Sequence, residues 1–163
     1  MSAGKVLFVT AIDSVKKASD PASAKDQLGD IRCEGTSIYK YVVYDGGTAG
    51  LGGVVGDPVV YYEATGYANN RVTTDYSDGT LCAGVLQAVV SNQTDATKDQ
   101  WVWIKIKGLA TVIEALEDSP EDGEGASIGT ADKKLKAMDA AGDVPMGIFL
   151  DASEKTVLLD CPY

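Results

Sequence analysis

The segment Trp101–Lys107, WVWIKIK, alternates with a period of two. In an extended chain Val102, Ile104 and Ile106 fall on one side, and Trp101, Trp103, Lys105 and Lys107 on the other. A helix would mix the two sets on every face, so the segment reads as a strand with its branched aliphatics turned to a core. The opposite face mixes two indoles with two ammonium groups. Either the indoles fill a second layer under a neighbouring loop, or they form the centre of a partner contact with a charged rim.

Other segments carry the same signal. Ile31–Tyr44, IRCEGTSIYKYVVY, reads as strand, Glu34-Gly35 turn and strand, with Tyr39, Tyr41 and Val43 on one face and Ile38, Lys40, Val42 and Tyr44 on the other. Gly56–Tyr62, GDPVVYY, is a turn followed by a strand that Pro58 can begin. Leu81–Val90, LCAGVLQAVV, is apolar on both alternating faces, as expected of a strand between two layers. Val144–Leu150 and Thr156–Asp160 are late strands joined by a turn at Asp151–Lys155.

The connections are equally informative. Asp45–Gly53, DGGTAGLGG, is expected to be a flexible loop; no Gly-Lys-Ser/Thr follows it, so it is not a phosphate loop. In the polar stretch Asp13–Gly29, Asp20-Pro21 can start a short helix that Gly29 stops, or the whole stretch is a flexible linker. Residues 130–142, TADKKLKAMDAAG, fit either a helix capped by Thr130 or an edge strand. Glu117–Gly125, EDSPEDGEG, is an acidic loop, solvated or gathered around calcium, although its order departs from the helix-loop-helix calcium template.

With 163 residues the chain can bury one core without staples, and 45% hydrophobic residues suffice to build it. The expected fold is mainly β, a small β-barrel or sandwich with at most one or two short helices. Residues 1–27 are expected to form an extended N-terminal arm and linker, and residues 28–163 the barrel. The arm's apolar Val6, Leu7, Phe8, Val9 and Ile12 could add a strand to a neighbour.

Charge and chemistry remove several functions. The net charge of −10 repels phosphate backbones and anionic lipid, so neither nucleic acid nor membrane is an expected partner. No apolar run reaches the roughly 18–20 residues of a membrane span, and Val6–Ile12 is too short for a signal peptide. The chain has no histidine, which removes Ser-His, Cys-His and His-metal sites. Cys33, Cys82 and Cys161 are far apart, lack zinc-knuckle spacing and read as small buried hydrophobes, a disulfide between two of them being the alternative. No catalytic residue, cofactor or metal is expected.

In order, LGDIRCEGTSIYKYVVYDGG (Leu28–Gly47), GDPVVYY, AGVLQAVV (Ala83–Val90), WVWIKIKGLATV (Trp101–Val112) and MGIFLDAS (Met146–Ser153) resemble the head decoration, or cement, proteins of tailed phages. The resemblance spans residues 28–160; Gly46–Gly53 and Glu117–Gly125 depart from it as insertions. It implies a β domain on the capsid exterior, assembled in the host cytoplasm, which binds the major capsid protein and stabilises contacts between its subunits without catalysis. It also implies a symmetric homo-oligomer, a trimer, on a threefold or quasi-threefold axis. The candidate capsid or oligomer interface is Val6, Leu7, Phe8, Val9 and Ile12 of the arm with Trp101, Trp103, Lys105 and Lys107 of the strand. The rival is a carbohydrate-binding or tail-fibre module with Trp101, Trp103, Tyr61 and Tyr62 as an aromatic platform.

Overall fold

A computed structural model of the chain describes residues 8–63, 70–92 and 99–161. The fold is mainly β: 42% of residues are in strands and no helix reaches seven residues. The strands are β1 (Lys16–Lys17), β2 (Ile31–Glu34), β3 (Ser37–Tyr44), β4 (Pro58–Tyr61), β5 (Arg71–Thr73), β6 (Cys82–Leu86), β7 (Gln100–Thr111), β8 (Gly125–Ile128), β9 (Leu135–Ala137), β10 (Pro145–Asp151) and β11 (Thr156–Asp160).

They form one mixed sheet in the order β2-β3-β5-β4-β6-β7-β11-β10-β8-β9, with β1 on β7 and a further pairing of β3 with β7. Among the described residues only β3 and β5 run parallel; the other pairs are antiparallel. The β3–β7 pairing curls one end of the sheet upon itself. Beyond it, β11, β10, β8 and β9 continue as a wing, so the sheet keeps free ends at β2 and β9. Of the two expected forms, a sandwich-like sheet therefore fits and a closed barrel does not.

The hairpin of β2 and β3 turns through Gly35 at φ 58, a left-handed conformation that glycine adopts without strain. Along β7 the alternation places Val102, Ile104 and Ile106 in the core, all fully buried. They meet Val42 and Tyr44 of β3, Val59 of β4, Leu86 of β6 and, in the wing, Phe149, Val157 and Leu159. β6 is buried throughout, as its unbroken apolar run requires.

Three connections decide or correct what the sequence left open. Residues 130–142 hold the edge strand β9, paired with β8, and no helix. Lys133 at φ 65 interrupts any helical run, and the Glu117 carboxylate accepts from Thr130 N and Ala131 N, holding that turn open. After Asp20 only one 3₁₀ turn forms, Ala22–Ala24, because the Asp20 carboxylate accepts from Lys17 N and leaves that turn without a side-chain cap. The glycine-rich loop is anchored, not flexible: Asp78 accepts from Thr48 N, Asp75 from Ala49 N, and Tyr44 Oη donates to Leu51 O at 2.8 Å. At its root Arg71 bridges Asp45 and Asp99, each at 2.7 Å.

Candidate functional site

The outer face of β7 begins with the residues expected at an interface, and the chain's own N-terminal segment covers them. Trp103 is fully buried, with Tyr41 directly opposite on β3 at a ring separation of 5.0 Å. Phe8 packs edge-on against the indole at 5.3 Å, and Ile12 joins the same small apolar cluster. Trp103 Nε1 and Arg32 Nη1 both donate to Thr10 O, at 3.2 and 3.3 Å, while Thr10 Oγ1 donates to Tyr41 Oη. The Asp26 carboxylate receives Val9 N and Thr10 N at 2.9 and 2.8 Å. These bonds fix residues 8–12 on the sheet, so this part of the expected arm is a second layer of the fold, while Lys16–Lys17 joins the sheet itself as β1.

The candidate set is thereby redistributed. Trp103 is core, and Trp101 is half-buried beneath Lys25, whose Nζ stands 4.2 Å from the ring centroid. Lys105 folds back to donate to Leu109 O at 2.8 Å, and exposed Lys107 pairs with Asp160 at 2.8 Å. Phe8 and Ile12 are half-buried against the sheet and Val9 is exposed; Val6 and Leu7 lie outside the described residues. The aromatic platform of the rival reading does not form, because Tyr61 is buried in the main core and Trp103 in the separate cluster.

The unpartnered apolar surface lies further along the same face. Leu109 of β7 is directly opposite Leu158 of β11, and Leu158 is directly opposite Ile148 of β10. Facing residues share one side of a sheet, so the three side chains form a row across three strands. The next position, Gly125 of β8, faces Ile148 and carries no side chain; a Cβ there would stand 3.0 Å from Met138 Sδ. Met138 thus fills the place over Gly125 and extends the row to a fourth strand, roughly 14 Å from Leu109 at the usual strand spacing. Exposure is 53% at Leu109, 43% at Leu158, 45% at Ile148 and 40% at Met138. Leu150, on the Ile148 side of β10, is also exposed.

Beside the row runs a groove of about 440 Å³ whose lining includes Thr36, Lys107, Pro145, Gly147 and Leu158. Gly147 is required there, since a Cβ would come within 2.1 Å of Leu158 O and push β10 from β11. Along β7 and β11 the Lys107–Asp160 pair flanks the row on one side and the Thr111–Thr156 pair on the other. An apolar centre between polar margins is the anatomy of a protein-binding patch. Sequence reading missed these residues because Val157, Leu158 and Leu159 are consecutive apolar residues, a run that reads, like that of β6, as buried on both faces.

The described residues offer little for chemistry. They contain no group of three or more His, Cys, Asp or Glu side chains placed to hold a metal. In the acidic loop the Asp122 carboxylate accepts from Ala152 N and that of Glu124 from Glu121 N, so both serve the backbone. Burial pushes the Asp57 carboxyl up, and its charge is shared with Val54 N and with Lys133 Nζ at 3.5 Å. Burial likewise lowers the Lys40 ammonium, which donates to Tyr61 Oη at 2.9 Å. No protein-family model, curated protein or solved structure matches this chain.

Proposed function

We propose that this chain is a structural virion protein that binds the outer surface of a tailed-phage capsid and stabilises contacts between major capsid protein subunits. The observation that carries the reading is the exposed row Leu109–Leu158–Ile148–Met138, an apolar strip across the sheet with polar pairs beside it on β7 and β11. A cement protein needs such a surface and needs no pKa-tuned catalyst. The ordered motifs between Leu28 and Ser153 that resemble head decoration proteins point the same way, and the net charge of −10 keeps the chain apart from packaged DNA. The capsid is the occupant of the row, and self-association into a trimer places three rows around one lattice axis.

The test is co-sedimentation of the purified protein with expanded coat-protein shells of the phage that encodes it, with light scattering on the free protein. Saturable binding in threefold stoichiometry and a raised melting temperature of the shell are the expected results. A protein that neither associates with shells nor alters their melting overturns the assignment.

A further inference from the structure

Cys82 and Cys161 are 79 residues apart in sequence, yet their sulfurs stand 3.2 Å from one another in the core. Cys82 opens β6 and pairs with Val60 of β4; Cys161 follows β11 and extends its ladder through Cys161 N to Ile106 O at 2.9 Å. Both backbones are therefore held by strand pairing. Neither sulfur is bridged, and Cys33, the third thiol, is exposed. The gap exceeds an S–S bond of ~2.05 Å by only about 1.2 Å, a displacement that side-chain rotation can supply.

We propose that Cys82 and Cys161 are an oxidant-responsive pair whose disulfide ties β6 to the end of β11, independently of what the exposed row binds. Cys161 is the entry point, since it keeps 5% exposure while Cys82 has none. With hydrogen peroxide as oxidant, Cys161 Sγ attacks one peroxide oxygen, the O–O bond breaks, and water leaves as Cys161 becomes a sulfenic acid. Cys82 Sγ then attacks the Cys161 sulfur; the S–O bond breaks and a second water leaves. Two thiols have lost two hydrogens and two electrons, and one peroxide has become two waters.

The surroundings suit a pair held in reserve. Burial, and then the thiol of Cys161, push the Cys82 thiol well up, so it remains protonated until its neighbour is oxidised. Tyr61 lies beside both: burial first, and then the neighbouring Cys161 and Cys82, push its phenol up to about 12. Lys40 Nζ, bonded to Tyr61 Oη, adds a cation on the same side of the core.

The experiment treats the folded Cys33→Ser variant with hydrogen peroxide, unfolds it under acid quench, and counts thiols by maleimide mass tagging. Two tags before treatment and none after, with a Cys82–Cys161 linked peptide in the digest, are expected. The oxidised form should melt on the order of 10 °C above the reduced form, because the bond closes a long loop in the unfolded chain. Adding Cys82→Ser should leave a sulfenic acid at Cys161 trappable by dimedone. Two tags persisting after treatment, or oxidation of both thiols without a linked peptide, overturns the proposal.

Discussion

The two halves of β7 present the same face to opposite fates. At its start, Trp103 stands under residues 8–12, bonded to Thr10 and met edge-on by Phe8, and Trp101 stands under Lys25. Six positions beyond Trp103, on the same side of the strand, Leu109 is uncovered and continues into Leu158 and Ile148. Alternation along a strand identifies a second face but does not say what lies over it. Large aromatics are therefore a poor guide to an exposed surface when the chain has a segment of its own to cover them, and it is the smaller leucines that stay uncovered.

The largest effect should come from Trp103→Ala, which empties the covered half. Loss of a fully buried indole with its bond to Thr10 O should lower unfolding free energy by about 3–5 kcal/mol. The fraction still folded should bind shells normally. A variant of normal stability in denaturant titration with weakened binding would exchange the roles assigned to the two halves.

Leu158→Asp tests the uncovered half and should do the reverse. Placing a charge at the centre of the row is expected to weaken shell binding by about 2 kcal/mol or more, a loss of roughly thirtyfold. Its unfolding midpoint in urea should scarcely change, since the site is exposed. Unaltered affinity in a binding isotherm would remove the row from the interface.

Acid should produce the smallest effect, confined to the Met138 end of the row. Hydrogen bonds from Ala140 N, then Lys136 Nζ, then Asp139 N hold the Asp143 carboxyl down at about 2. Burial raises Glu117, yet bonds from Thr130 and Ala131 outweigh it and keep it below the usual carboxylate range. Groups depressed in the folded state stabilise it above their unfolded values near 4, and that contribution is lost as pH falls toward 2. Amide protection of β9 relative to β7 should therefore decline between pH 4 and pH 2. Equal loss in both strands would show that these carboxylates do not anchor the edge.

Much of the fold was legible from residue alternation. The hairpin at Ile31–Tyr44 and the two faces of β7 follow from period-two patterns, the buried β6 from its unbroken apolar run, and the pair β10 and β11 from apolar segments joined by a turn. What was not legible depends on partners distant in sequence. The glycine-rich loop looked free because Asp75 and Asp78, which hold it, lie some 30 residues on. The helix after Asp20 and the helix alternative for residues 130–142 failed for the same reason: a carboxylate was committed elsewhere, or a neighbouring strand took the backbone. The row was hidden because consecutive apolar residues in β11 suggest burial on both faces, and only strand order reveals that one face of the wing is left uncovered among the described residues.

The central position of β7 bears on how quickly the fold can be reached. Its neighbours include β1 and β3, which precede it by many residues, and β11, which is made about 50 residues later. Few of these pairings are local, so each must close a long loop before it gains stability. During synthesis the apolar side of β7 emerges before β11 exists to flank it, leaving an unsatisfied strand edge in a growing chain. Folding should accordingly be slow and late, with the completed sheet forming in one cooperative step after β11 arrives.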